Sequence, residues 1–233
     1  MTLPQFRPLP WSVRVESPEW RDGARRVLNV VIASLGLLLA FVPMLVIALL
    51  IKLTSRGPVL FAQRRVGLDR RAPGNEGGNW RRHADDGGLT FTMYKFRTMH
   101  VDNGQPGERE VWAKPDDPRV TSVGRVLRKL RLDELPQLWN VLVGEMNIVG
   151  PRPEQPTIFA SLREQIEEYP SRQKVLPGIT GWAQVNLAYD SSVDDVREKL
   201  SYDLEYIQQR SALEDLKIML LTPAVMLGRR HGW

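Results

Sequence analysis

In the stretch LRKLRLDELPQLWNVLVG, residues 127–144, two carboxylates stand side by side at Asp133 and Glu134. Arg125, Arg128, Lys129 and Arg131 crowd in just before them, and Pro136 comes two residues after. Proline is well suited to open a helix, so the spacing predicts a helix from Pro136 through Val143 that stops at Gly144. The acidic pair then sits just ahead of a helix N-terminus. One reading is a cap that complements the helix dipole. The other is chemical: carboxylates among arginines at a helix N-terminus could hold a diphosphate and Mg²⁺. Downstream, GPRPE at residues 150–154 places Arg152 between two prolines. Fixed φ angles on both sides suit a positioned guanidinium better than a solvated one.

These residues need a scaffold, and the composition bounds it. The chain has 233 residues, room for one domain and an appendage. It has no cysteine, which excludes disulfide and thiolate chemistry and fits a reducing, cytoplasm-facing location. Residues 1–131 carry 22 Lys/Arg against 12 Asp/Glu, whereas residues 132–233 carry 10 against 15. The basic half should meet an anionic partner such as lipid headgroups or a nucleotide. Nucleic acid is not expected, because zinc-ligand spacing, a ribonucleoprotein aromatic motif and a basic recognition helix are all missing from the sequence.

The run VVIASLGLLLAFVPMLVIALLI, residues 30–51, is 22 residues long and uncharged. As a helix it is long enough for a bilayer core of about 30 Å. It starts too late and runs too long for a secretory signal. Pro43 predicts a bend. Arg21, Arg25 and Arg26 precede the run, and Lys52, Arg56, Arg64 and Arg65 follow it. Basic flanks favour the cytoplasmic side, so both ends ask to be inside. Entry, a break at Pro43 and return to the same face satisfies both flanks. An ordinary span oriented by the C-terminal cluster is the rival, and a buried core helix is the plain alternative.

The domain boundaries expected are an N-terminal arm at 1–24, a membrane helix at 25–55 and a catalytic domain at 56–233, with an exposed Gly-rich charged loop at 70–88. GPVLFAQ and LTFTMYKF read as short strands, the second with Leu89, Phe91 and Met93 on one face. Phe159, Leu162, Ile166 and Tyr169 form one helical stripe, and Val193, Val196, Leu200, Leu204 and Ile207 another. ALEDLKIMLLTPAVMLGRR is helical and apolar, and it fits either a core or a membrane interface. His83, the one histidine of the 70–88 loop, reads as a solvated side chain rather than a ligand.

KFRTM, SVGRVLRKLRLDELPQLWNVLVGEMNIVGPRPE and PGITGWAQVN, in this order and spacing, resemble the monotopic phosphoglycosyl transferases of the bacterial sugar transferase family. The resemblance runs from about Arg25 to Leu227. It implies an α+β, mainly helical fold: a re-entrant N-terminal membrane helix, interfacial amphipathic helices and a small catalytic domain on the cytoplasmic face of the bacterial inner membrane. It also implies a reaction. A phospho-sugar passes from a nucleotide diphosphate sugar, usually a UDP-sugar, to polyprenyl (undecaprenyl) phosphate, with Mg²⁺, as the first membrane step of glycan or exopolysaccharide assembly. By the same resemblance Asp133 and Glu134 are the catalytic dyad, with Asp133 as the nucleophile, and the same two carboxylates are the candidate Mg²⁺ ligands. Substrate binding falls to Lys95 and Arg97 of KFRTM, Arg128, Arg152, and Gly181 and Gln184 of the glycine-bracketed GITGWAQV segment. A homodimer is compatible with the family. Two features depart from its pattern: Val42 precedes Pro43 where serine is frequent, leaving proline alone to make the bend, and the 70–88 loop is long and reads as an insertion.

The implied chemistry is physically reasonable. A carboxylate is a fair nucleophile once the diphosphate charge is neutralised, and phosphoryl transfer relies on positioning and charge stabilisation. A nucleoside monophosphate leaves without a strong acid, and a lipid phosphate is already anionic, so no histidine is demanded. The alternative class is a non-catalytic membrane-anchored binding or scaffold protein on the same fold, with the acidic pair as a cap.

Overall fold

The computed structural model describes residues 19–69, 88–100, 117–187 and 192–227. Most of the expected N-terminal arm and nearly all of the 70–88 loop, His83 included, lie outside the described residues.

The first element is a long helix, α1 (Glu19–Thr54), with Pro43 inside it. It begins within the segment read from sequence as arm. Pro18 immediately precedes it, and Asp22 places an acidic charge in its first turn, where the helix dipole favours one. Helix assignment continues through Pro43 although a proline removes one ladder bond. Packing on either side of the proline holds the helix together. Upstream, Ala33 joins Phe91, Met93, Val141 and Met146 in one core cluster. Downstream, Ile47 and Ile51 join Phe96 and Leu127 in another. The opposite face of α1, including Leu35, Leu38, Leu39, Val42, Leu45, Val46, Leu49 and Leu53, is exposed apolar surface.

After α1, β1 (Leu60–Val66) and β2 (Thr90–Phe96) form an antiparallel pair, with Gln63 opposite Met93. β2 matches the sequence reading to within one residue, whereas β1 starts and ends three residues later than GPVLFAQ. Phe91 and Met93 are buried, while Leu89 is exposed because it precedes the strand. Next come α2 (Ser122–Lys129), a 3₁₀ turn (Leu132–Glu134) and α3 (Gln137–Val143). Thr121 caps α2 by accepting from the Gly124 amide at 2.8 Å. Gly144 ends α3 in the left-handed region at φ 86°, as its position after the apolar run predicts.

Two short strands, β3 (Asn147–Val149) and β4 (Gly178–Thr180), pair in parallel. Glycines permit this pairing: a Cβ on Gly178 would fall 2.1 Å from the Gly150 nitrogen. Between these strands lie α4 (Pro156–Gln165) and a second 3₁₀ turn (Tyr169–Lys174). The Phe159–Tyr169 stripe is buried as expected, but α4 ends at Gln165 and Ile166 is extended. The chain then continues through α5 (Trp182–Asn186), α6 (Val193–Gln209) and α7 (Ala212–Leu227). A reciprocal Ser192–Asp195 capping box starts α6. Val196, Leu200, Leu204 and Ile207 pack into the main core with Ile218 of α7, whereas Leu213 and Leu220 stay exposed.

Both ends of α1 are tied to this one body. Near its start, Arg25 Nε donates to Asp215 Oδ2 at 2.8 Å, and Tyr206 Oη donates to Asp215 Oδ1 at 2.7 Å. Arg26 donates to the Val141 and Leu142 carbonyls at the end of α3. Asn29 accepts from the Ile148 amide at 2.6 Å. At the far end, Arg97 Nη2 donates to the Ser55 carbonyl and hydroxyl, each at 2.8 Å, and Nη1 donates to the Arg56 carbonyl. Arg25 and Ile51 are separated by about 39 Å measured along the helix path at 1.5 Å per residue.

Candidate active site

Leu130 ends α2, and Arg131 then adopts φ 54°, ψ 19°, the only non-glycine residue with positive φ among the described residues. For a residue with a side chain this costs about 1–2 kcal/mol. It reverses the chain so that the following 3₁₀ turn carries Asp133 and Glu134 inward, where both are 7% exposed. Strain of this kind concentrates at functional sites.

The two carboxylates have different surroundings. Glu134 Oε1 accepts from Lys95 Nζ at 3.0 Å and from Arg152 Nη2 at 2.7 Å, with Arg131 Nη1 at 3.6 Å. Burial alone would raise its pKa, but Arg152, Lys95 and Arg131 together hold it well below the usual carboxylate range. Burial lowers the Lys95 pKa, and Glu134 opposes that shift. On Asp133, Oδ1 is buried and has no hydrogen-bond partner. Burial pushes the Asp133 pKa up, with Lys95 as the main opposing charge. One carboxylate is thus a neutralised hub and its neighbour is an ionisable group with a vacant oxygen.

Neither is a helix cap. The cap position of α3 is Pro136, and no side chain hydrogen-bonds there. The capping interpretation therefore lacks the bond that defines it.

The sequence-selected residues divide into those at the dyad and those elsewhere. Lys95 from β2 and Arg152 from the loop after β3 meet at Glu134. Arg128 donates through Nε to Thr98 Oγ1 at 2.9 Å. Arg97 covers the carbonyl end of α1. Gly181 packs against the loop that carries Arg152: a Cβ there would lie 2.3 Å from the Gly150 carbonyl oxygen. Gln184 Nε2 donates to the Ile179 carbonyl at 3.1 Å, leaving its Oε1 buried and unpaired. Pro43 lies within α1, away from this cluster.

Some site-building residues carry no local signal in the sequence. Arg172 Nη2 donates to the Arg152 carbonyl at 3.0 Å and Nε to Asp203 Oδ2 at 2.7 Å. The Val66 amide donates to the Glu154 carbonyl, and Arg65 to that of Pro153. Glu154 accepts from Lys199 at 3.2 Å; burial would raise its pKa, but Lys199, Arg172 and Arg65 bring it down to about 2. These contacts fix the Pro151–Glu154 backbone, and through it the Arg152 guanidinium on Glu134.

A family model described as bacterial sugar transferase matches residues 20–229. The chain belongs to the bacterial sugar transferase family. A relative from Komagataeibacter xylinus, an undecaprenyl-phosphate glucose phosphotransferase, is 42% identical over 95% of this chain and 38% of its own length. A UDP-glucose:undecaprenyl-phosphate glucose-1-phosphate transferase from Escherichia coli is 40% identical over 85% of this chain and 39% of its own length. The protein of that name from Caulobacter vibrioides is 41% identical over 88% of this chain and 70% of its own length. The chain thus spans about two fifths of the first two relatives and over two thirds of the third. In this bacterial sugar transferase the matched region holds the whole Lys95–Arg131–Asp133–Glu134–Arg152 cluster together with α1 apart from its first residue.

Whether the cluster suits Mg²⁺ follows from its donors. Among the described residues no three His, Asp or Glu side chains converge on one point. Mg²⁺ is ordinarily bound by one or two carboxylates plus phosphate oxygens and waters, and the vacant Asp133 Oδ1 beside a diphosphate would fit that pattern.

Proposed function

We propose that this chain transfers a sugar 1-phosphate from a UDP-sugar to a polyprenyl phosphate, with Asp133 as the nucleophile. The observation that carries the reading is the division of labour in the dyad. Glu134 is neutralised by Lys95, Arg152 and Arg131, while Asp133 Oδ1 is buried without a partner. The names of the relatives supply the substrate class.

In the first half, an Asp133 oxygen attacks the phosphorus that bears the sugar. The P–O bond to UMP breaks, and its electron pair leaves on UMP. Burial makes Asp133 a more basic carboxylate, and Lys95 keeps an anion tenable there. Arg152 and Arg131, held by Glu134, face the incoming diphosphate charge. Asp133 and Glu134 would hold Mg²⁺, which would supply further neutralisation of the diphosphate charge. In the second half, a lipid phosphate oxygen attacks the same phosphorus and releases Asp133. Neither half calls for a strong acid or base.

The membrane arrangement belongs to the same proposal. Helix α1 is re-entrant, and its two ends and the catalytic domain share the cytoplasmic face. The support is that Arg25 at one end and Ser55 at the other both bond to the same body. A helix with its ends on opposite faces would place one of those contacts across the bilayer from the other. The exposed leucines of α1 and α7 offer apolar side chains for contact with the lipid.

The deciding experiment omits the lipid. UDP-glucose or UDP-N-acetylgalactosamine with Mg²⁺ should release close to one UMP per enzyme and leave a phospho-sugar mass on Asp133. Asp133→Asn should abolish both. Asparagine is a good cap, so an Asp133→Asn enzyme with near-normal activity would overturn the reading.

A further inference from the structure

We infer that Gln137 is a further member of the reaction site, its side-chain amide donating to an oxygen of the phosphoryl group as that group becomes attached to Asp133. The inference rests on the aspartyl reading above and names the donor that the reading leaves open.

Asp133, Gln137 and Asn140 are spaced four and three residues apart. Leu135 and Pro136, between the first two, both keep right-handed helical dihedrals. The run is therefore unbroken, and the three side chains share one stripe. All three are buried, at 7%, 1% and 0% exposure. Along this stripe the hydrogen bonding changes. At the far end, Asn140 is satisfied: it accepts from the Tyr94 amide and donates to the Thr92 carbonyl and to Glu145. Toward the dyad, Gln137 Nε2 and Asp133 Oδ1 are both buried without a partner. Gln137 Nε2 is the one unpaired amide nitrogen among the buried side chains of the described residues.

A buried donor without an acceptor is unfavourable, and native structures keep few of them. Such a group one helical turn from a nucleophile points to an acceptor that arrives with substrate. The transferred group supplies one. As the Asp133 O–P bond forms and the P–O bond to UMP breaks, negative charge spreads over the non-bridging oxygens. Those oxygens accept and cannot donate. Lys95 and Arg152 are already bonded to Glu134, whereas the Gln137 N–H is neutral and unengaged. It can meet the phosphoryl oxygen without giving up a resting-state bond, as oxyanion-hole donors do.

The test separates this role from packing, because a donor unpaired in the resting protein contributes no hydrogen bond to stability. Gln137→Leu should keep or raise the thermal midpoint. In the lipid-free reaction with UDP-glucose or UDP-N-acetylgalactosamine it should slow UMP release and Asp133 adduct formation by roughly 10²–10³-fold. Gln137→Met, with a more flexible side chain of similar length, is the second variant and should behave alike. A Leu or Met variant with a wild-type burst rate would sink the inference. So would a fall in thermal midpoint in both variants that accounts for the lost rate, because the residue would then be structural. If wild-type enzyme forms no Asp133 adduct, the aspartyl mechanism itself fails, and this inference goes with it. The wild-type control therefore distinguishes the two failures.

Discussion

Asp215→Asn should be among the most destabilising single changes in this chain, although it preserves shape and lies far from the dyad in sequence. Asp215 is fully buried, and the Arg25 side chain is 6% exposed. Their bond is 2.8 Å long, Tyr206 closes the triad at 2.7 Å from Asp215, and Arg25 Nη2 donates to Tyr206 Oη at 2.6 Å. Removing the negative charge leaves a guanidinium inside the protein facing an amide and a phenol, with the half-exposed Asp22, 3.7 Å from Nη1, as its remaining carboxylate. Breaking a buried pair in this way costs about 3–5 kcal/mol. For a chain of this size each kcal/mol shifts the thermal midpoint by about 2–4 °C, so a fall on the order of 10 °C is expected. The assay is thermal unfolding in detergent micelles, followed by tryptophan fluorescence and circular dichroism. The double variant Arg25→Met/Asp215→Leu should recover most of the loss, because replacing a whole buried pair with apolar side chains is often near neutral. An Asp215→Asn midpoint within about 1 °C of wild type would refute the argument. So would a double variant at least as unstable as the single one, since the damage would then not come from an unpaired charge.

Three further outcomes follow from the same structure. Glu134→Gln removes the shared partner of Lys95, Arg152 and Arg131 and should lower both burst rate and stability. Because burial already depresses the Lys95 pKa, losing Glu134 lowers it further, and the stability deficit should narrow as pH rises and Lys95 sheds its proton; a deficit equal at pH 7 and pH 9.5 would contradict this. Glu154, held at about 2 against an ordinary 4.5, contributes about 3 kcal/mol that is fully present above pH about 4.5 and is lost as pH falls toward 2. Wild type should therefore lose its advantage over Glu154→Gln across that window in denaturant titrations, and a constant gap would count against the ion-pair account. Single cysteines at Ser17 and Thr54, unique in a chain without native cysteine, should both react only from the cytoplasmic side in intact cells, and external labelling at residue 17 would defeat re-entry.

Local signals in the sequence were readable where local physics decides the outcome. Pro136 opening α3 and Gly144 closing it are matters of φ, and the structure has both. The alternation in β2 and the 193–207 stripe are matters of burial period, and both are buried largely as expected. What was hidden depends on chain segments that meet only after folding. Strands β3 and β4 span three residues each, too short to show a period, and their pairing relies on glycine contact between residues 150 and 178. The stripe from Phe159 to Tyr169 continues in burial while the backbone leaves the helix at Ile166, because a 3₁₀ turn can keep the same face inward. Arg25 looked like one of several flanking charges, yet its partners Tyr206 and Asp215 lie at the other end of the chain.

The acidic pair is the sharpest case of this difference. Local composition marks Asp133 and Glu134 as adjacent carboxylates near basic residues and does not rank them, since both see the same neighbours; the family resemblance alone singles out Asp133. The ranking comes from Lys95 on β2, Arg131 in a left-handed turn and Arg152 on a loop held by Arg172 and β1, all directed at Glu134. A carboxylate engaged by those cations is stabilised in its ionised form and loses reactivity as a nucleophile. Its neighbour, buried with an open oxygen and a raised pKa, keeps that reactivity while remaining within the same positive field. The structural support for the proposed nucleophile is therefore the oxygen that the fold leaves unpaired on Asp133, and in that proposal Glu134 holds the cations where the phosphoryl charge would develop.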